Sequence, residues 1–102
     1  MRRPVQWSRD ALDDLKSQVA HIAADDPRAA RRIAERILST AAALGEHAIG
    51  RPGRVVGTYE KSVSRMPYVI AYAVRSSAEA EIIAILRVIH TARDWPAGGW
   101  PV

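Results

Sequence analysis

The apolar residues of this chain repeat with two different periods, which divide it into extended and helical parts. Val5 and Trp7 alternate with polar neighbours, which predicts a short first strand, and Ser8 follows in the position of a helix cap. From about residue 9 to 23 the apolar spacing becomes three and four, which predicts a first helix. The expected buried stripe of this helix is Leu12, Leu15, Val19 and Ile22.

A second helix is predicted directly after the first. Asp26 is placed as its N-cap, and Pro27 takes the first helical position, where its missing N–H costs no hydrogen bond. Gly45 is expected to close the helix in a left-handed conformation. The two helices should then form a hairpin with a short connection. The expected buried stripe of the second helix is Ala30, Ile33, Ile37, Ala41 and Leu44.

After Gly45 the sequence changes to strand-forming residues separated by turn signals. "GRPGRVVGTYEKSV" predicts a turn and then a strand near residues 54–63. "YVIAYAV", from Tyr68 to Val74, is apolar on both faces and predicts a central strand, and "EIIAILRVIH" predicts the last one. The order β-α-α-β-β-β predicts an α+β fold in which a helical hairpin packs on a small antiparallel sheet.

Strict alternation divides the last predicted strand into two faces. The face that ends in His90 suits packing against the helices. Arg87 then falls on the opposite face, where either a partner covers it or its aliphatic stem lies along the sheet and its charge reaches water. The two sets are Ile82, Ala84, Leu86, Val88 and His90, and Ile83, Ile85, Arg87 and Ile89.

Length and composition limit the class of protein. A chain of 102 residues, 48% of them hydrophobic, is long enough for one small domain and too short for two. We therefore expect one domain over residues 1–102, with a short tail at about 96–102. The absence of cysteine excludes disulfides and thiolate metal sites. No apolar run approaches the roughly 18 residues that cross a bilayer, and no hydrophobic segment follows the basic start, so we expect a cytoplasmic protein without a membrane partner.

Arginine dominates the charge of the chain. The net charge is +4, the pI is about 10.1, and thirteen of the fifteen basic residues are arginine. This balance suits a phosphate-bearing or acidic partner, or reflects only genomic base composition. Arg28, Arg32 and Arg36 recur every four residues on the second helix. We interpret them as a solvated face paired with Glu35 and nearby aspartates, with a nucleic-acid or partner contact as the alternative.

Some residue types that RNA cleavage needs are present. Cleavage through the 2′-hydroxyl needs a base, an acid and cations for the phosphate. A single histidine beside an apolar strand is more often structural than catalytic, and the three histidines lack the spacing of a metal site. We therefore expect no metal and no cofactor. The residues of the right types are Glu60, Arg65, Arg87, His90 and Arg93.

Four motifs give the chain a family resemblance. "VQWSRDALDDL", "GRPGRVVGTYEK", "PYVIAY" and "ILRVIHTARDW" occur in an order and spacing that resemble the ParE branch of the RelE/ParE toxins of bacterial toxin–antitoxin pairs. The resemblance covers nearly the whole chain and implies the α+β fold described above. It also implies a cognate antitoxin, which in that family is typically a DNA-binding protein whose C-terminal segment wraps the toxin. DNA would then be reached only through the antitoxin.

The resemblance leaves the target open, because the ParE branch is associated with DNA gyrase and the RelE branch cuts messenger RNA on the ribosome. "YVIAYAV" carries no charge, and the C-terminal aromatic residues are tryptophans, which cannot donate a proton as tyrosine or histidine can. Both observations favour gyrase inhibition without catalysis. Tyr59 replaces an arginine that family members commonly have, which leaves an inactive toxin that acts as a co-repressor as a third possibility. The residues expected to bind antitoxin or target are Arg54, Arg65, Arg87, Arg93 and Trp95; an endonuclease would use His90, Arg87, Arg65 and Glu60.

Overall fold

Two helices and five strands make up the part of the chain that the computed structural model describes, residues 3–76 and 78–92. Arg93, Trp95 and the predicted tail at 96–102 lie outside the described residues. The elements are β1 (Val5–Trp7), α1 (Arg9–Ala23), α2 (Pro27–Leu44), β2 (Arg51–Pro52), β3 (Tyr59–Ser62), β4 (Tyr68–Ser76) and β5 (Glu81–His90).

The strands form one mixed sheet in the order β1-β5-β4-β3-β2. The predicted meander of β3, β4 and β5 is confirmed, with β4 in the centre. The first strand, however, runs parallel to β5, and a two-residue strand, β2, is added at the other edge. The α+β class and the helical hairpin are therefore confirmed, while a purely antiparallel sheet is wrong. β1 runs parallel because α1 and α2 lie between it and the meander in the chain.

Both helices begin at the predicted caps. Ser8 Oγ accepts the backbone N–H of Ala11 at 3.0 Å, and Asp26 Oδ1 accepts that of Ala29 at 3.1 Å. The predicted left-handed Gly45 is wrong, because its φ is −64°. A side chain there would instead collide with the backbone, since an added Cβ would lie 2.6 Å from the carbonyl oxygen of Arg3.

The two helices differ in how well their buried stripes were predicted. The stripe of α2 is confirmed, with Ile33 only partly buried. In α1 the inner face is rotated, because Leu12 is 39% exposed while Ala11 and Gln18 are buried. Small Ala11 allows α1 to lie close to the sheet, and Leu15 and Ile22 complete its contact with the core. No helix in the described ranges is long and apolar enough to span a membrane.

A bulge in β5 changes which of its side chains face the helices. Ala71 pairs with Arg87 but Tyr72 pairs with Ile85, so Leu86 is an extra residue on β5. Before the bulge Ile83 and Ile85 belong to the main core with the helices, and after it Val88 does. Strict alternation is therefore wrong for the first half of the strand. It is right for the second half, where Arg87 faces away from the helices.

Candidate functional site

Arg87 forms a bidentate ion pair with Asp14 of α1. Its Nε lies 2.7 Å from Asp14 Oδ2 and its Nη2 lies 2.9 Å from Oδ1. Only 26% of the arginine side chain and 16% of the aspartate side chain are exposed. A two-bond geometry of this kind is the strongest form of arginine–carboxylate contact. Arg87 therefore neither snorkels to water alone nor waits uncovered for a partner, as the two sequence interpretations had it.

Asp14 also protects the edge of β5 where β1 ends. β1 pairs with β5 only as far as Ile85. Beyond that point Ser8 Oγ donates to the carbonyl of Leu86 at 3.0 Å, and the N–H of Val88 donates to Asp14 Oδ2 at 2.9 Å. Side chains thus continue the hydrogen bonding of a strand that has stopped. The sequence analysis missed Asp14, although its spacing between buried Ala11 and Gln18 indicates a carboxylate on the inner face of α1.

Glu60 is a buried carboxylate that organises the loop between β2 and β3. Its side chain is 4% exposed, and its oxygens accept the backbone N–H of Arg54 at 2.9 Å and Nη2 of Arg51 at 3.3 Å. Arg51 itself is 58% exposed, so the backbone contact is the better shielded of the two. These bonds occupy the carboxylate that an endonuclease would need as a base.

The same loop explains most of the "GRPGRVVGT" motif. Gly53 and Thr58 close it through a backbone hydrogen bond of 2.8 Å, and Thr58 Oγ1 donates to the carbonyl of Val55 at 2.6 Å. Gly57 has a φ of +87°, which other residues rarely adopt. Val55 packs onto Ala71 and Ile89 on the face of the sheet away from the helices. The motif therefore builds a loop over that face and exposes Arg54 beside it.

Tyr59, where the family commonly has arginine, stacks on Tyr72. The two residues are directly paired between β3 and β4, and their ring centroids lie 5.6 Å apart at an interplanar angle of 27°. Tyr72 is buried and Tyr59 is 40% exposed. Burial raises the pKa of Tyr72 above 10.0, the nearby Tyr59 raises it further, and Arg3 lowers it in part. The substitution thus supplies packing where the family has a charge.

His90 occupies the exit of β5. Its Nδ1 accepts the N–H of Ala92 at 3.2 Å, and its ring meets that of Tyr68 edge-on at 5.3 Å. The N–H of Thr91 donates to the carbonyl of Pro67 at 2.9 Å. These contacts hold the end of the strand against the turn that enters β4.

Arg65 lies at that turn, between β3 and β4. It is exposed and has a φ of +62°, a left-handed conformation that costs a non-glycine residue roughly 1 kcal/mol. The N–H of Met66 donates to the carbonyl of Val63 at 3.1 Å and tightens the turn. Arg65 therefore projects from a strained position.

The structure does not assemble the endonuclease candidates into one site. Glu60 and Arg87 share the face away from the helices, each directly opposite Ala71, which puts roughly 10 Å between their backbones. His90 lies on the helix face, since it follows Arg87 by three residues with no bulge between. Arg65 is at the turn. In residues 3–76 and 78–92 no group of three His, Asp or Glu side chains is placed to hold a metal ion.

Comparison with known proteins assigns the chain to a family. A family model described as the ParE toxin of the type II toxin–antitoxin system, parDE, matches residues 5–95. The candidate toxin Y4kP of Sinorhizobium fredii is 38% identical over 96 residues, which cover 93% of this chain and 95% of that protein.

Solved structures share the fold. The chromosomal ParDE toxin–antitoxin system of P. aeruginosa superposes with a TM-score of 0.78 and 25% identity over 87% of this chain and 96% of that one. The RelBE2 toxin–antitoxin complex of Mycobacterium tuberculosis gives 0.54 and 23% identity over 88% and 99% of the two chains, and the YoeB/ParE toxin of Agrobacterium tumefaciens gives 0.59 and 13% over 85% and 97%. These last two show the fold alone. With a model match over most of its length and a relative at 38% identity, the chain belongs to the ParE toxin family, within the RelE/ParE toxins of type II toxin–antitoxin systems.

Proposed function

We propose that this toxin inhibits DNA gyrase by binding it, and that a tightly bound cognate antitoxin neutralises it. The observation that carries this proposal is the engagement of the candidate catalytic groups in structural contacts. Glu60 is buried under its own loop, and Arg87 is paired with Asp14. A general base has to reach the hydroxyl that it deprotonates, and a buried carboxylate with two donors in place is poorly suited to this task.

An antitoxin partner is supported by the relatives in complexes. The ParDE structure of P. aeruginosa and the RelBE2 structure of Mycobacterium tuberculosis are toxin–antitoxin systems. On this chain, Arg54 and Arg65 are exposed on the loops that flank the sheet. An acidic segment of the antitoxin would meet them with carboxylates, whereas Arg87 would contribute less because Asp14 holds it. Antitoxin and target then compete for one basic surface.

Two assays with the purified full-length chain separate the candidate targets. In the first, gyrase supercoils a relaxed plasmid with increasing toxin; in the second, ribosomes translate a defined message that is then examined for cuts. We expect blocked supercoiling or DNA breakage with an intact message. A cut message with normal supercoiling would overturn the proposal in favour of the ribosome-dependent endonuclease. Silence in both assays would favour a toxin that acts only as co-repressor.

His90→Ala tests the catalytic alternative separately. Under our proposal the variant keeps gyrase inhibition within about threefold, because His90 supports the strand exit and does not react. His47→Ala is the matched control, since His47 is exposed on the loop after α2. A loss of toxicity larger than about a hundredfold in a folded His90→Ala variant, with His47→Ala unaffected, would assign His90 a catalytic role.

A further inference from the structure

The outer face of α2 carries a row of arginines. Successive residues of a helix are turned by about 100°, so positions three, four and eight apart share a face. This face lies opposite the buried stripe that contains Ile37 and Ala41. Two shallow surface depressions follow it, one lined by Pro27, Arg28, Arg31 and Arg32 and the next by Arg32, Glu35, Arg36, Ser39 and Met66. The row consists of Arg28, Arg31, Arg32 and Arg36, with Glu35 as the one acid of α2.

These arginines are not neutralised within the described part of the chain. None of the four has a carboxylate oxygen within 4 Å, and Arg36 Nη1 donates to the carbonyl of Ser64 at 3.2 Å. The interpretation that Glu35 and nearby aspartates pair with them is therefore wrong. Asp26 spends its carboxylate on the N-cap of the same helix. The row leaves most of its hydrogen-bond donors facing solvent.

The position of the row works against the stability of its own helix. The first turn of α2 contains no acidic residue, and arginines stand near the positive end of the helix dipole. Arg28, Arg32 and Arg36 are also like charges at i, i+4 spacing, which destabilises a helix by roughly 0.2–0.5 kcal/mol per pair. A face selected only for solubility would carry mixed or reversed charges.

Arg65 extends the row at its C-terminal side. The hydrogen bond from Arg36 to Ser64 ties the β3–β4 turn to α2, and Arg65 is the next residue of that turn. Its left-handed backbone is a second local cost at the same surface. Two independent unfavourable features thus place guanidinium groups on one side of the molecule.

We propose that the row formed by Arg28, Arg31, Arg32 and Arg36, extended by Arg65, binds the phosphate backbone of double-stranded DNA. Guanidinium groups fit phosphate oxygens with paired donors. Arg28 and Arg36 are separated by about 12 Å along the axis, at 1.5 Å per residue, which spans several phosphates of one strand at 3.4 Å each. This direct contact differs from the expectation that DNA is reached only through the antitoxin.

The chemistry of the face favours duplex DNA over other acidic partners. Single-stranded nucleic acid is usually held by stacking on aromatic side chains, and α2 contains none. A protein interface needs an apolar centre, whereas the large apolar side chain exposed on α2 is Leu38 alone. A rigid row of charges without stacking groups matches a regular backbone, and binding should not depend on base sequence.

The test measures binding of a fluorescent 25-base-pair duplex of arbitrary sequence to the purified full-length chain by anisotropy, at 50 and 200 mM salt. The test variant is Arg28→Gln/Arg32→Gln/Arg36→Gln. The control variant, Arg9→Gln/Lys16→Gln/Arg75→Gln, removes the same charge from exposed positions elsewhere. We expect the test variant to bind at least about tenfold more weakly at 50 mM salt and the control within about threefold. The dependence of log K on log salt should also flatten by about two in the test variant only.

Several outcomes would overturn the proposal. Equal weakening by both variants would mean that only net charge matters, and absence of wild-type binding at 50 mM salt would remove the site. Tighter binding to single-stranded RNA, to polyglutamate or to anionic vesicles, with the same arginine dependence, would assign the row to that partner instead. Thermal unfolding of the test variant, expected at or above the wild-type temperature, separates lost binding from lost structure. None of these results depends on the gyrase assay.

Discussion

Asp14 joins the first helix to the last strand through three hydrogen bonds, two from Arg87 and one from the N–H of Val88. Asp14→Ala removes all three and leaves a partly buried guanidinium without its partner. Hydrogen bonds to charged groups contribute about 1.5–3 kcal/mol, and loss of one member of a shielded pair costs more than a single bond. We expect the free energy of unfolding in urea to fall by about 2–4 kcal/mol.

Asp13→Ala is the matched control for this change. Asp13 is the preceding residue of α1 but is exposed. Its removal should alter the free energy of unfolding by less than about 0.5 kcal/mol, as for other exposed positions. Equal losses in the two variants would mean that the ion pair contributes nothing beyond an ordinary surface charge.

Tyr72 makes stability depend on pH in the alkaline range. Burial and the neighbouring Tyr59 raise its pKa above 10.0, so the folded chain retains the phenolic proton longer than the unfolded chain does. The stabilising contribution is complete below the unfolded pKa of about 10 and is lost as pH rises through the folded pKa. Tyr72→Phe keeps the ring and removes this proton. The difference in unfolding free energy between wild type and variant should be constant from pH 7 to 9 and then shrink above pH 10. A constant difference at all pH values would contradict the assignment.

At the scale of elements, Glu60 determines whether the loop from Gly53 to Thr58 stays folded over the sheet. Glu60→Ala removes the acceptor of the Arg54 N–H in a site with 4% side-chain exposure, and should cost about 2–3 kcal/mol. Arg51→Ala removes only the exposed partner and should cost less than about 1 kcal/mol. Amide exchange of Gly53 and Thr58 should accelerate in the first variant alone. Equal acceleration in both would mean that the salt bridge, and not the buried backbone contact, holds the loop.

The bounds of the helices could be predicted from local residues, whereas the faces of the last strand could not. Ser8 and Asp26 act within three residues of themselves, so their roles can be read from spacing. The bulge at Leu86 depends on how β5 aligns with β4, which alternation within one strand does not contain. Gly45 was assigned to the wrong cause for a similar reason, because its conflict is with Arg3, far away in the chain.

At the scale of the whole molecule, the candidate site depended on contacts between distant segments. The "GRPGR" and "ILRVIH" motifs indicated the family from the sequence alone. The partner of Arg87, however, lies 73 residues away, and no spacing rule connects the two. The sequence therefore identified residues that matter and misjudged what several of them do. Only the fold shows that Arg87 and Glu60 stabilise the scaffold, while the arginines of α2 remain on the surface.

The proposed antitoxin should stabilise the whole toxin by mass action. A partner that binds only the folded chain adds about 2.7 kcal/mol to its stability when its free concentration is a hundred times Kd. For a domain of about 100 residues each kcal/mol raises the melting temperature by roughly 4–8 °C, so a rise of more than about 10 °C is expected.

Calorimetric scans of the toxin with increasing antitoxin would measure this rise. It should grow with antitoxin concentration and be weaker for Arg54→Gln/Arg65→Gln, which removes two exposed charges assigned to the antitoxin surface. Arg9→Gln/Arg75→Gln removes two exposed charges elsewhere and should leave the rise unchanged. A melting temperature that is independent of antitoxin would contradict the partner. A full rise in both variants would place the antitoxin on a different surface of the toxin.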